Sequence, residues 1–168
     1  MRFRDFGCEA PFVSLDDKDV VVSTSLSNTQ SDLQVSRHFN KSHIDPWVTL
    51  PSADSTSEIH FFTVWKSYAI VGEIILWGFS NNSCFISYWI DRNYTNKGIG
   101  ARAVSLTSEH CFEVLDLDRI YAAIQKENLP SVRLAEKVGF KRTNATTLDF
   151  LTVQGKKVPH ALWTLDSP

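Results

Sequence analysis

Two glycines set two residues apart, Gly98 and Gly100, sit within the segment Thr95-Asn96-Lys97-Gly98-Ile99-Gly100-Ala101. An apolar run, Phe85-Ile-Ser-Tyr-Trp-Ile-Asp91, precedes it, and a stretch of helical periodicity follows. This arrangement suits an anion. Glycines let the backbone approach closely, the first-turn N–H groups of a helix have no partners within it, and the helix dipole favours negative charge there. Lys97 and Arg102 add positive charge on either side. The same residues also build ordinary tight turns, so this segment alone leaves a phosphate site and a plain turn both open. The nucleotide-binding pattern GxxxxGKS/T is absent. The dinucleotide pattern has Ala103 at its third glycine position, but its strand should open a βαβ unit, and here the strand closes a meander.

A second segment, Asn128-Leu-Pro-Ser131-Val-Arg-Leu-Ala-Glu-Lys137-Val-Gly-Phe140, reads as a helix capped by Asn128, with Pro130 in its first turn and Gly139 as its stop. Taken alone it is fully explained as structure. Metal chemistry finds no footing: the three cysteines (Cys8, Cys84, Cys111) include no CxxC pair, and the five histidines show no ligand spacing. Cys84 and Cys111 fall within a predicted strand and helix, where a cysteine packs as a small apolar residue.

The elements that must position these groups follow from the apolar pattern. Asp19–Leu26 is predicted as a strand by its β-branched content, and about 28–41 as a polar helix. A proline-punctuated loop covers His43–Pro51 and an exposed linker runs on to Ser57. Glu58–Trp65, Ala69–Phe79 and Cys84–Asp91 form an antiparallel meander joined by short turns. A helix begins after Gly98, then come a strand at Arg119–Gln125, a helix at Leu129–Val138, and two strands near Thr146–Val153 and Val158–Leu165 around Gln154-Gly155. Phe85 to Gln125 is expected to be a parallel crossover, and the whole to be one mixed α/β (α+β) sheet with helices on its faces.

At 168 residues and net charge −2 the chain fits one domain and is no general nucleic-acid binder. No apolar run reaches the roughly 18–20 residues of a membrane span, and the N-terminus lacks the apolar stretch of a signal peptide, so a cytoplasmic location and no membrane partner are expected. Residues 1–91 hold 6 Lys/Arg against 11 Asp/Glu, whereas 92–142 hold 9 against 6. The middle of the chain would welcome a polyanionic small ligand; chance clustering on solvated faces accounts for the counts equally well.

The glycine loop with its helix, a strand, and then N-x-x-S-x-x-L-x-E-K-x-G-F, in this order and spacing, resemble the GNAT acetyltransferase superfamily. Within it the resemblance is to the RimJ/RimL-type branch of ribosomal-protein alanine N-acetyltransferases. It runs over roughly residues 43–165 and includes His43-Ile-Asp-Pro-Trp47, Val71-Gly-Glu73 and the Gln154-Gly155 hairpin. It implies a single GNAT-like domain over 1–168, with 1–18 as a loosely ordered extension, built on a mixed, mostly antiparallel twisted sheet of about seven strands with helices on both faces.

The resemblance further implies acetyl-CoA as co-substrate, no metal, and an amine acceptor. That acceptor is a protein N-terminal α-amine of the ribosomal-protein alanine type, with the protein a monomer or homodimer. The alternatives are a small amine (polyamine, amino acid or antibiotic) or a non-catalytic acyl-CoA-binding domain. By the family pattern the backbone at Trp89 and Ile90 pairs with the pantetheine arm, and Thr95 to Ala101 wraps the pyrophosphate. Asn128 contacts pantetheine, and Ser131 lies near the thiol. Charge alone adds Arg133 and Lys137 as phosphate neighbours, with solvated helix residues as the alternative. The tyrosine that many members use as an acid falls here at Ala135, and Thr95 stands where Gln or Arg is usual.

The family chemistry is direct attack of a neutral amine on the thioester. Neutralising an α-amine of pKa ~7.7–8 at pH 7 costs only about 1 kcal/mol, against about 4–5 for lysine. A modest base therefore suffices, and Glu73, acting directly or through water, is the candidate; a salt-bridged strand glutamate is the alternative. His160 is a weaker candidate base, with a structural histidine the better reading, and Ser131 is the candidate proton donor to the thiolate. Trp47, Trp65, Trp77, Tyr88 and Trp89 are candidates to line an acceptor pocket, with the core as the alternative for aromatics on strands.

Overall fold

The computed structural model describes residues 12–13, 20–24, 30–47, 58–145, 152–153 and 156–168. The linker 51–57, most of the expected N-terminal extension, residues 146–151 and the Gln154-Gly155 turn lie outside them. In chain order the elements are β1 (Phe12–Val13), β2 (Val20–Thr24), α1 (Gln30–Ile44), β3 (Ile59–Lys66), β4 (Ala69–Ser80), β5 (Ser83–Ile90), α2 (Ile99–Glu113), β6 (Arg119–Gln125), α3 (Leu129–Val138), β7 (Lys141–Arg142), β8 (Thr152–Val153), β9 (Lys156–Lys157) and β10 (His160–Asp166). One sheet has the order β1-β2-β3-β4-β5-β6-β10-β7, and β8–β9 form a separate hairpin. Every neighbouring pair in the sheet is antiparallel except β5 and β6. The expected parallel crossover is therefore present, with α2 as its connection.

The meander turns at Ser67-Tyr68 and Asn81-Asn82, where both central residues of each turn have positive φ (47° and 68°, 47° and 53°). Paired left-handed residues match the twist of a two-residue hairpin, and asparagine tolerates that conformation better than most residues. β4 is buried without a break from Val71 to Leu76 because both faces of the sheet are covered. Phe62, Ile74, Cys84 and Ile86 pack into one core with Val104 and Cys111 of α2. On the other face α1 lies against β4. Cys84 and Cys111 are buried free thiols in contact, and that contact with burial pushes the Cys111 thiol up.

Three boundaries differ from expectation. α1 runs on through His43 and Ile44, because no helix breaker precedes Pro46. β10 begins at His160 rather than Val158, and Lys156-Lys157 pair with Thr152-Val153 as a small separate hairpin. The short β7, paired to β10 through Lys141 and Arg142, has no apolar pattern to announce it.

Candidate active site

β5 and β6 pair only at Ser83–Arg119, Cys84–Ile120 and Phe85–Tyr121. Beyond Phe85 the strands part: β6 continues along β10, and the β6-facing edge of residues 86–90 has no strand partner among the described residues. A cavity of about 490 Å³ opens in the gap. Successive side chains on a strand alternate faces, so Tyr88 and Ile90 point toward α2 and α3 while Ser87 and Trp89 point toward α1. Residues from both sets line the same cavity, which therefore passes through the sheet.

At one end lies the glycine loop. Asp91 Oδ1 accepts from Asn93 N at 2.8 Å and caps a single 3-10 turn at Arg92–Tyr94. Asp91 Oδ2 accepts from Asn40 Nδ2 at 2.8 Å, and Asn40 Oδ1 accepts from Arg92 N at 3.0 Å. Asn40, in α1 and 1% exposed, thus holds both ends of one peptide step. The Thr95 hydroxyl donates to Arg92 O at 2.9 Å, and Lys97 Nζ donates to Asn93 O at 2.8 Å. Gly98 (φ 77°) starts α2 with no side-chain cap, which leaves the first-turn N–H groups facing outward. A Cβ on Gly100 would stand 2.8 Å from Leu134 Cδ1, so a glycine is what lets α3 come this close.

At the far side of the gap Asn128 Oδ1 accepts from Ser131 N at 3.3 Å, and Gly139 (φ 105°) ends α3 by donating to Ala135 O. The Tyr88 hydroxyl approaches Ser131 O at 3.4 Å, and burial pushes its pKa up to about 12, so it stays a neutral donor. Ala135 is buried and presents no hydroxyl. Arg133 and Lys137 line the cavity.

On the α1 side Glu73 is 2% exposed and faces Trp89 across the β4/β5 pair. Its Oε2 accepts from Trp89 Nε1 at 3.0 Å and from Arg37 Nε at 2.9 Å, and it is ion-paired to the Arg37 guanidinium. Trp77 Nε1 donates to Ser87 Oγ at 3.0 Å, and the Trp77 ring stacks on Phe85 at 4.7 Å. His43, Ile44 and Trp47 close this mouth from the end of α1, tied to β6 by Gln125 Nε2 donating to Pro46 O at 3.0 Å.

The cavity thus brings together Trp89, Ile90, Thr95, Asn96, Gly98, Gly100 and Ala101 with Asn128 and Ser131. Lys97 and Ile99 line an adjoining depression that shares Tyr94, Gly98, Ala101 and Lys137 with it, and Ile99 is also core. Glu73 stands behind Trp89 and is not among the lining residues; its carboxylate already serves Arg37 and Trp89. His160 is buried outside the cavity, its Nδ1 2.6 Å from Val158 O, and burial lowers its pKa. Asn40 carries no local sequence signal for this site, whereas Trp47, Trp77, Tyr88 and Trp89, aromatics expected either at an acceptor pocket or in the core, line the cavity, and Trp65 does not. Among the described residues no His, Cys, Asp and Glu group could hold a metal, and no helix is long and apolar enough to cross a membrane.

The acetyltransferase (GNAT) domain model matches residues 10–141. The uncharacterized N-acetyltransferase YnaD of Bacillus subtilis is 32% identical over 74 residues, 44% of each chain. The spermine/spermidine N(1)-acetyltransferase of the same organism is 32% identical over 71 residues, 42% of this chain and 43% of its own length. The chain therefore matches less than half the length of these relatives. The ribosomal-protein-S5-alanine acetyltransferase of Vibrio fischeri shares the fold, with a TM-score of 0.78 at 21% identity over 92% of this chain and 96% of that one.

Proposed function

The chain belongs to the GNAT acetyltransferase family, and from that premise we propose that it moves an acetyl group from acetyl-CoA to a primary amine, the α-amine of a protein N-terminus. The observation that carries this reading is the cavity through the sheet where β5 leaves β6, with an uncapped helix N-terminus at one end and Ser131 and Tyr88 along it. The residues fit the co-substrate. First-turn N–H groups of α2 suit a pyrophosphate, the absent Cβ of Gly100 lets Leu134 and Ile90 pack closely beneath the loop, and the open edge of Trp89 and Ile90 offers backbone groups to an extended amide chain. Thr95, Asn96, Lys97, Gly98, Ile99, Gly100 and Ala101 form the phosphate wrap, Asn128 meets the pantetheine arm, and Arg133 and Lys137 supply positive charge.

Acetyl-CoA supplies an activated acetyl thioester. The amine nitrogen bonds to the carbonyl carbon, the C–S bond breaks, and the ammonium proton leaves. Water takes this proton, since an α-amine needs little help at pH 7. Glu73 acts by fixing the Trp89 ring at the cavity wall, as a positioning residue. Ser131 returns a proton to the thiolate, and Tyr88, its hydroxyl 3.4 Å from Ser131 O and its pKa raised by burial, lines the passage as a neutral group. An N-terminal acceptor is further supported by the fold shared with an alanine N-acetyltransferase of a ribosomal protein.

The experiment is calorimetric titration of acetyl-CoA into the protein and into Gly100→Trp. Saturable binding to the first, weakened more than a hundredfold in the second, supports the reading. A folded protein that binds no acetyl-CoA sinks it, and binding without acetylation of any amine shows a non-catalytic acyl-CoA-binding domain.

A further inference from the structure

We infer that the acceptor presents a planar aromatic group beside its amine, and that polyamines are poor acceptors. This rests on the acetyltransferase reading and concerns the α1-side mouth of the same cavity. Three tryptophans line it: Trp47 from the turn after α1, Trp77 from β4 and Trp89 from β5. The two sheet indoles have committed their only polar atom, Trp77 Nε1 to Ser87 Oγ and Trp89 Nε1 to Glu73 Oε2. What they turn to the cavity is ring carbon, not a donor. Trp77 is also held in place by its stack on Phe85, 4.7 Å apart at 20°. Fixed ring surfaces of this kind reward a flat apolar partner through burial and offset stacking.

Charge argues the same way. Among the described residues lining the cavity there is no Asp or Glu; the charged side chains are Arg133 and Lys137. The carboxylate in contact with this wall, Glu73, is 2% exposed and already paired with Arg37. A polyamine would bring several ammonium groups, and all but the reacting one must stay charged. Ring faces attract one cation modestly, but they do not replace carboxylates for the rest. An aromatic acceptor with a single α-amine has no such cost once that amine is neutral.

The test compares phenylalanine amide, alanine amide and spermidine as acceptors, reading free CoA thiol release, and repeats the comparison with Trp47→Ala and Trp77→Ala. The expected order is phenylalanine amide about fivefold to tenfold above alanine amide in kcat/KM, with spermidine below both. Each variant should shrink the aromatic advantage while leaving the KM for acetyl-CoA within about twofold. Trp47, at the mouth and 36% exposed, tests the idea even where Trp77→Ala fails to fold. If no acceptor is turned over, calorimetry of phenylalanine amide against the CoA-loaded protein decides: binding supports the inference and its lack overturns it. Preference for spermidine, equal use of the two amides, or an unchanged ratio in Trp47→Ala also overturns it. A protein that binds no acetyl-CoA removes the acetyltransferase reading and this inference together. One that binds acetyl-CoA but shows no aromatic preference removes only the inference.

Discussion

Glu73 and Trp89 face each other across β4 and β5, and the Trp89 indole N–H donates to the Glu73 carboxylate at 3.0 Å. The strand pairing places both side chains on one face, and Arg37, 36 residues earlier in the chain, reaches down from α1 to complete the trio. A charge this deeply buried is tolerated because it is paired and hydrogen-bonded.

Arg37→Ala should therefore cost about 2–3 kcal/mol in urea unfolding, since it strands a buried carboxylate. The figure sits at the low end for broken buried pairs because the Arg37 side chain is 34% exposed. Glu73→Gln, which keeps an acceptor for Trp89, should cost less. If Glu73→Gln abolishes kcat while stability holds, Glu73 is a base and not a positioning residue.

Asn40→Ala removes the side chain that joins Asp91 to Arg92 N. The loop loses its anchor to α1, and KM for acetyl-CoA should rise about tenfold with a stability loss of about 1–3 kcal/mol. Steady-state kinetics on the folded variant decides; an unchanged KM would show that the loop holds its shape by itself.

Asn128 has two separable duties, capping α3 and meeting the ligand. Serine caps as well as asparagine, while alanine costs about 1 kcal/mol. Asn128→Ser should thus keep the melting temperature of the unmodified protein but weaken acetyl-CoA, whereas Asn128→Ala loses on both counts. Equal affinity in all three would confine Asn128 to capping.

His110 is buried in α2 against Phe62, and burial, with the nearby His60, lowers its pKa from 6.5 to about 4. The unfolded chain takes up this proton more readily than the folded one. Stability from the neutral ring is complete above pH 6.5 and is lost as pH falls from 6.5 toward 4. Melting temperature should drop through this window, and His110→Leu should flatten part of the drop. An identical slope in the variant would point to other groups, His160 among them, whose pKa burial also lowers.

Local punctuation made some of this readable in advance. Arg119–Gln125 and Leu129–Val138 have the bounds expected from Asn128, Pro130 and Gly139, since a cap, a first-turn proline and a left-handed glycine each act within a few residues. The loop Thr95–Ala101 could be read for the same reason. The Asn40 anchor and the Arg37 partner of Glu73 could not. Each is a contact between residues 36 to 52 positions apart, created only when α1 and the meander close over one another. A two-residue strand such as β7 is shorter than any period that could reveal it.

The parting of β5 from β6 after three residue pairs also divides the sheet into two leaves. β1 to β5 with α1 form one leaf, and β6, β10 and β7 form the other, stitched in the sheet only at residues 83–85 and 119–121. A ligand chain bearing amides in the gap would act as a surrogate strand, its N–H and C=O groups taking the ladder positions that β6 relinquishes. Occupancy would then join the two leaves into one continuous sheet, and the amides of residues 86–90 would exchange their hydrogens more slowly with the ligand in place than without it.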